Sequence, residues 1–420
     1  MVQRFNRLVS GYERLFVART RASGHHARTY VRGLMQARRR NIQSIGDAVP
    51  QSDEQALHHF ISNSSWNERA VLDKIARDAN ALLGGTPDSF LLIDESGFPK
   101  KGRESVGVAR QWCGRLGKVD NCQTAVFASL GKNSVATLID TALFLPEEWT
   151  RDRPRMKKVG VPSEAQAFRT KQELAMDLIE RAVVNGVDFA WIGFDGFYGS
   201  NGKFLRTIDT AGMTFMGDIH CDQRVWTGDP TVDPSAEPMR VDEWVEAQPK
   251  EAWQRVVFRE GTKGRMEIDA LHQRVWLHQK GDKQAYLWHL VVRREPERLK
   301  FSLSNAAADT SLERLAYMQG QRYFVERALQ DAKQQGGLGE YQVRNWRGWH
   351  HHTALVMMAM LFLTQERIEI GEATLTPADV QMMLVHYLPR PNRSEDDMLD
   401  LLRRRLARRG ETLPYDLPEE

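Results

Sequence analysis

Apolar positions in the first 85 residues recur every three or four, the period of a helix with one buried face. In FNRLVSGYERLF this puts Phe5, Leu8, Tyr12, Leu15 and Phe16 on one side. VRGLMQARRRNIQSIGDAV reads as a basic helix, and WNERAVLDKIARDANALLGG as an amphipathic one stopped at Gly84-Gly85. From residue 89 the pattern changes to short unbroken apolar runs, FLLID, TAVFASLG and SVATLIDTALFLP, which predict buried strands. FRTKQELAMDLIERAVVNG returns to helix, FAWIGFD is a strand, and GFYGSNGKFLRTIDTAG turns into another helix. TFMGDIH predicts a strand. WQRVVFREG, RMEIDALHQRVWLHQ and QAYLWHLVVRRE then alternate like antiparallel strands, separated by GTKG and KGDK turns. TSLE is a helix-capping pattern ahead of a helix over 310–335. WHHHTALVMMAMLFLT, 349–364, is apolar all round and predicts a buried helix. Thr376-Pro377 opens a last helix by N-cap and N1 preferences.

This order predicts an α/β chain in five stretches: a helical region (1–85), which ten arginines among its first 40 residues make the candidate DNA-binding region, a core (86–214), a β-rich insertion (215–304) that stands apart from the central sheet, the second part of the core (305–370), and a helical basic region (371–420). Strand, hairpin and strand from FLLID onward is the opening of a ribonuclease H-like sheet. A hydrophobic fraction of 41% is enough for a sizeable core. No run of about 20 apolar residues predicts a membrane span, and the N-terminus lacks the apolar stretch of a secretory signal. Cys113, Cys122 and Cys221, with no CxxC spacing, fit a reducing cytoplasm and argue against disulfides or structural zinc.

Net charge is +3, but it is unevenly placed. Residues 1–40 hold ten arginines, at 4, 7, 14, 19, 21, 28, 32, 38, 39 and 40, against one acid, Glu13. Arg403, Arg404, Arg405, Arg408 and Arg409 form a second cluster. Basic ends around a carboxylate-bearing centre point to a nucleic-acid partner; a solubilising face is the plainer reading of either cluster alone.

The chemistry is in the centre. FLLID and FAWIGFD end at Asp94 and Asp195, and RYFVERALQDAK places Arg322, Glu326 and Lys333 four and seven residues apart, near one helix face. Such a stripe is commonly a solvated ion-pair row. With two strand-end aspartates it becomes a candidate metal site for phosphoryl transfer: hard divalent ions take carboxylate oxygens, and a pair about 4 Å apart can hold the attacking and leaving oxygens at phosphorus. Glu340 is the nearest replacement if Glu326 points elsewhere.

The chain resembles DDE insertion-sequence transposases whose third block carries a Tyr-x2-Arg-x3-Glu-x6-Lys signature. Arg322, Glu326 and Lys333 match it; the tyrosine position holds Gln319, which can bond a phosphate but cannot stack on a base. The match is closest to transposases of insertion sequence family 701, themselves related to family 4. LIDESGFPKKGRESVGVARQWCGRLGKVDNCQ (92–123), LPEEWTRD with GVPSEAQAFRTKQELA (145–175), FDGFYG (194–199) and YQVRNWRGWHHH (341–352) carry it. The resemblance implies a ribonuclease H-like fold and a catalytic, metal-binding triad of Asp94, Asp195 and Glu326 on Mg2+ (Mn2+ as an alternative), taken as two ions. It also implies cut-and-paste excision and strand transfer on double-stranded DNA, with terminal inverted repeats and target as partners. The expected form is a homodimer on DNA, in the bacterial cytoplasm at the nucleoid.

Arg322, Lys333, Lys100, Lys101, Arg38, Arg39 and Arg40 are the expected DNA contacts, with Arg103 a further cation beside Lys101. The rivals are a nuclease of the same fold without strand transfer and a domesticated DNA-binding protein. Paired carboxylates also serve glycoside hydrolysis, which the basic ends and the motifs disfavour. Consecutive histidines on a helix diverge, so His350, His351 and His352 are expected to be structural or DNA-adjacent. Trp226, Trp253, Trp276 and Trp288 are each expected in the core, though the resemblance implies that one aromatic of the insertion stacks on a flipped base.

Overall fold

Four apolar residues, Phe90 to Ile93, are fully buried on both faces of the first strand of the sheet, the pattern of a strand covered by helices on both sides. The computed structural model describes residues 1–410 except 19–20, 234, 262–263, 279–283, 372–374 and 408–409. Its main sheet has ten strands: β1 (Ser89–Pro99), β2 (Ala109–Cys113), β3 (Lys118–Lys132), β4 (Val135–Leu143), β5 (Trp191–Phe194), β6 (Phe215–Ile219), β7 (Gln254–Gly261), β8 (Gly264–Leu277), β9 (Tyr286–Arg294) and β10 (Leu299–Ser304). Around β1 the order is β4, β3, β1, β5, β6. β3 runs antiparallel to β1, whereas β5 and β6 run parallel to it. A five-strand unit in this order, flanked by helices, is a ribonuclease H-like core. The carboxyl ends of its parallel strands, beside the point where the direction switches, are where open α/β sheets place ligands.

The 215–304 stretch is β-rich as expected, but it does not stand apart. β10 pairs antiparallel with β6, from Phe301 on Ile219 to Ser304 on Met216, and β9, β8 and β7 follow outward in the same sheet. The strand LKFSLS (β10), absent from the sequence reading, makes this join: its inner residues Phe301 to Ser304 are buried. The expected GTKG and KGDK turns fall partly on residues outside the described ones.

The longer helices are α1 (Val2–Ser10), α2 (Gly24–Gln36), α3 (Ile42–Ala48), α4 (Glu54–Ser62), α5 (Glu68–Leu83), α6 (Lys171–Val184), α7 (Gly202–Thr210), α8 (Leu312–Gln321), α9 (Tyr323–Gln334), α10 (Trp346–Ile370), α11 (Pro377–Tyr387) and α12 (Glu395–Ala407). Asn67 caps α5 on Arg69 and Ala70 N–H, and a Thr170–Glu173 capping box opens α6. The basic segment expected as one helix is two, α2 and α3, with Arg38, Arg39 and Arg40 in the link.

Helix α10 is buried from Gly348 to Thr364 and is the axis of the helical layer. Phe5 of α1 meets Phe362 edge-on at 5.1 Å, Tyr30 of α2 bonds His352 at 2.9 Å, and Trp66 stacks on His351 at 3.6 Å. Residues 1–85 therefore share one apolar core with α10 and the sheet rather than forming a separate unit. No described helix is long and apolar enough to cross a membrane.

Candidate active site

Asp94 follows the buried run Phe90–Ile93 and is the first residue of β1 to emerge from the core. Ile93 is in parallel register with Phe194, so Asp94 and Asp195, one residue further on each strand, stand side by side. Asp195 also caps the short helix Gly196–Gly199, accepting from Phe197 N–H at 3.1 Å. A third carboxylate continues the row. Phe194 is in register with Gly217 of β6, which brings Asp218 alongside. Gly199 lies against the Asp218 carbonyl, where a Cβ would come within 1.9 Å, so only glycine lets this turn close over the strand end.

Helices α8 and α9 lie across these ends, interrupted by one residue, Arg322. Its Nε reaches Asp218 at 2.8 Å, Nη2 reaches Glu326 at 2.8 Å, and Nη1 is 4.0 Å from Asp94. Burial opposes charge on this guanidinium, but Asp218, Glu326, Asp94 and Asp195 outweigh it and hold its pKa above the usual arginine range. Burial and then the neighbouring Asp195 push the Asp94 carboxyl up to about 7, while Arg322 pulls the other way. Burial likewise raises Asp195. Lys333 is half-buried on the same helix; burial and Arg115 lower its pKa, and the nearby Asp94 raises it. Arg322 thus ties Glu326 to Asp218 and stands 4.0 Å from Asp94, which has Asp195 alongside, and Lys333 is close enough to Asp94 to feel its charge.

Three neighbours were not singled out in the sequence. Asp218 accepts from Ser302 Oγ at 2.7 Å, and Ser302 in turn accepts from Gln319 at 2.8 Å. Gln319, at the signature's tyrosine position, is therefore buried behind the site. Glu95 pairs with Lys171 of α6 at 2.6 Å. Tyr198 Oη is buried without a hydrogen-bond partner, and after burial it is Glu95, Asp94 and Asp195 that raise its pKa. Asp218 had a readable signal, a lone acid in the apolar run TFMGDI. Tyr198 and Glu95 lie within the stretches FDGFYG and LIDESG that carry the family resemblance, but nothing there marks either as part of the site.

The donors fit a hard divalent ion: they are carboxylate oxygens crowded at like charge, with an orphaned phenol beside them. Among the described residues no three His, Cys, Asp or Glu side chains already cage one ion. Glu326, half-exposed, is turned onto Arg322.

The expected DNA contacts divide. Arg38, Arg39, Lys101 and Arg103 are exposed. Arg40 is not available as expected: its backbone N–H and guanidinium both bond Glu340, at 2.8 and 3.3 Å, because the link between α2 and α3 is fastened there to the chain ahead of α10. The same pair occupies Glu340, the proposed stand-in for Glu326. Lys100 lies over the Tyr341 ring at 3.5 Å, and burial lowers its pKa to about 8. Arg403 pairs with Asp400 on α12; Arg19, the side chains of Arg21, Arg404 and Arg405, and Arg408 and Arg409 lie outside the described residues. The three histidines are buried and diverge, onto Trp346, onto Ile61 and Trp66, and onto Tyr30 and Gly337. Trp288 packs on Phe215 in the core, and Trp253 is covered by Arg294.

Two aspartates side by side where a pair of parallel strands parts, Asp94 within β1 and Asp195 just past β5, under an Arg–Glu helix are what a DDE nuclease core requires, and residues 14–267 match the DDE superfamily endonuclease family. The chain belongs to the DDE superfamily endonucleases. The matched segment, more than half of the chain, contains Asp94 and Asp195 and ends before Glu326. A curated relative, a probable transposase for insertion sequence element IS701 from Microchaete diplosiphon, is 29% identical over 189 residues, 45% of this chain and 46% of the relative. The match thus spans under half of that relative's length. Among DDE superfamily endonucleases divalent metal use is general, in keeping with the oxygen donors gathered here.

Proposed function

We propose that this chain is a DNA transposase that excises an insertion sequence and joins it to target DNA. The observation that carries the reading is the placement of Asp94 and Asp195 on neighbouring strands beneath Arg322 and Glu326. Asp94 and Asp195, joined by Glu326, would hold the divalent cation, Mg2+ or Mn2+, which when bound supplies Lewis-acid activation of water and of the scissile phosphate. Arg322 and Lys333 orient the phosphate from the helix side, since each places a donor beside the acids. Hydrolysis at each element end frees a 3′ hydroxyl, and that hydroxyl attacks the target. Exposed Arg38, Arg39 and Lys101 bind flanking duplex, and pairing two ends calls for at least a dimer on DNA.

The test uses full-length protein, a duplex bearing the inverted repeats that flank its own coding sequence, a supercoiled plasmid target, and Mg2+ or Mn2+. Nicking followed by joined product is expected. Nicking without joining of pre-cut ends would leave a nuclease, and binding without either would leave a DNA-binding protein.

A further inference from the structure

Beside Glu326 a groove of about 740 Å³ runs between strands β7 to β9 and helix α8. Its wall carries an unbalanced set of cations. Arg293 of β9 is only 5% exposed, and its Nε and Nη1 have no hydrogen-bond partner. Its remaining nitrogen reaches Glu295 at 2.7 Å. That carboxylate is shared with Arg298 at 3.1 Å and Lys300 at 3.7 Å. Lys300 stands directly opposite Arg293 in the β9–β10 register, and like charges facing across a strand pair repel. Arg259 adds a further cation, stacked on the Tyr323 ring at 4.1 Å. Two acids on the same wall, Glu267 and Asp269, are already met by Arg255. Arg322, which also lines the groove, pairs with Asp218 and Glu326 on the side of the acid cluster. The Arg293 guanidinium otherwise meets the face of the Phe258 ring, at 4.8 Å, and a buried guanidinium with two donors lacking hydrogen-bond partners is costly unless an anion completes it.

We infer that Arg293, Lys300 and Arg259 form an oxyanion subsite that seats a backbone phosphate of the DNA strand leaving the acid cluster past Glu326. The guanidinium fork matches the paired oxygens of a phosphodiester. The groove volume is that of a ligand site rather than of a lone ion, which favours a stretch of polynucleotide over free phosphate. The inference rests on the transposase reading, because it takes DNA to be the substrate.

The experiment measures binding of full-length protein to a fluorescein-labelled blunt duplex of arbitrary sequence, in EDTA, across a salt series. Arg293→Met, Lys300→Met and Arg259→Met are compared with wild type, each checked for an unchanged circular dichroism spectrum. Each lost phosphate contact flattens the log–log salt slope by about 0.9 on duplex, and that flattening is expected for Arg293→Met and Lys300→Met. If Arg293→Met does not fold, the two less buried positions carry the same test. Wild-type binding with slopes unchanged in the variants overturns the subsite alone. Absence of wild-type binding overturns the transposase reading and the subsite with it. In a parallel arm, inorganic pyrophosphate is tested for raising the Tm. A rise in wild type that Lys300→Met loses, with DNA slopes unchanged, assigns the site to a free anion and overturns the DNA assignment.

Discussion

Arg322 meets three acids at once, Asp218, Glu326 and Asp94, so the charge of the proposed metal site is partly neutralised by the protein itself. Asp94→Asn, Asp195→Asn and Glu326→Gln should each abolish nicking while duplex affinity stays within about threefold of wild type, a change under about 1 kcal/mol. Each removes an oxygen ligand's charge at constant shape. Near-normal nicking by any of them would strike that residue from the site. A second prediction concerns His352, whose Nδ1 accepts from Tyr30 Oη while Nε2–H donates to the Gly337 carbonyl. That arrangement fits the neutral ring, and burial lowers its pKa to about 3. Folding therefore excludes a proton that the unfolded chain binds below its ordinary value of about 6.5, and stability falls as the pH drops through that window. At about 1.4 kcal/mol per unit, moving from pH 7.5 to pH 5 should cost wild type roughly 2 kcal/mol through this group. Urea unfolding at both pH values checks it: His352→Gln should lose correspondingly less, and an equal loss would mean the ring is not held neutral. In the sequence the triplet already read as divergent, and as structural or DNA-adjacent, since successive helical positions point apart; burial of all three favours the structural role. The partners that fix His352, Tyr30 and Gly337, are distant in the chain and carried no local signal.

Elements with a single buried face or an unbroken apolar run were legible: α5, α6 and α10, β5 up to Asp195, and the first half of β1 up to Asp94, all follow from periodicity and capping, whereas the run of β1 on to Pro99, paired with β3, did not. β10 was not, because LKFSLS reads as half polar. Its serines are satisfied inside the protein, Ser304 by the Phe215 carbonyl and Ser302 by Asp218, and no local pattern announces such partners. The same strand explains why the expected free-standing insertion is part of the sheet. The link holding Arg38 to Arg40 was missed for another reason: its residues have acceptable helix propensity, and the break comes from the tertiary tie between Arg40 and Glu340. Between elements, Trp66 is the principal packing piece of the N-terminal layer. It stacks on Phe60 and His351, meets Phe16 edge-on, and donates to the Phe60 carbonyl. Trp66→Ala should cost about 3–5 kcal/mol, as large buried aromatics do when truncated. Thermal unfolding checks this, and a loss below about 1 kcal/mol would mean the layer repacks without it.

Across the whole molecule, one apolar cluster runs from Phe5 in α1 to Leu388 beyond α11, crossing all the stretches into which the sequence had been divided. Gln381 of α11 makes the point in hydrogen bonds: its amide donates to carbonyls of Met35 and Gln335, joining α2 and the end of α9. An autonomous DNA-binding module at 1–85 would need its own core, yet Phe5, Tyr30 and Trp66 all pack on α10 or its histidines. Separate cores would melt separately, whereas a shared core should melt as one. Calorimetry of the full chain should therefore give a single transition, coincident by tryptophan fluorescence and far-UV circular dichroism. Phe5→Ala distinguishes the two cases sharply. It removes the partner of Phe362 at the far end of the helical layer, at a cost of about 3–5 kcal/mol. In a one-core protein it lowers the whole transition, including the signal from sheet tryptophans such as Trp191 and Trp288. A split transition, with the sheet melting at its wild-type temperature, would restore the N-terminal region as an independent module.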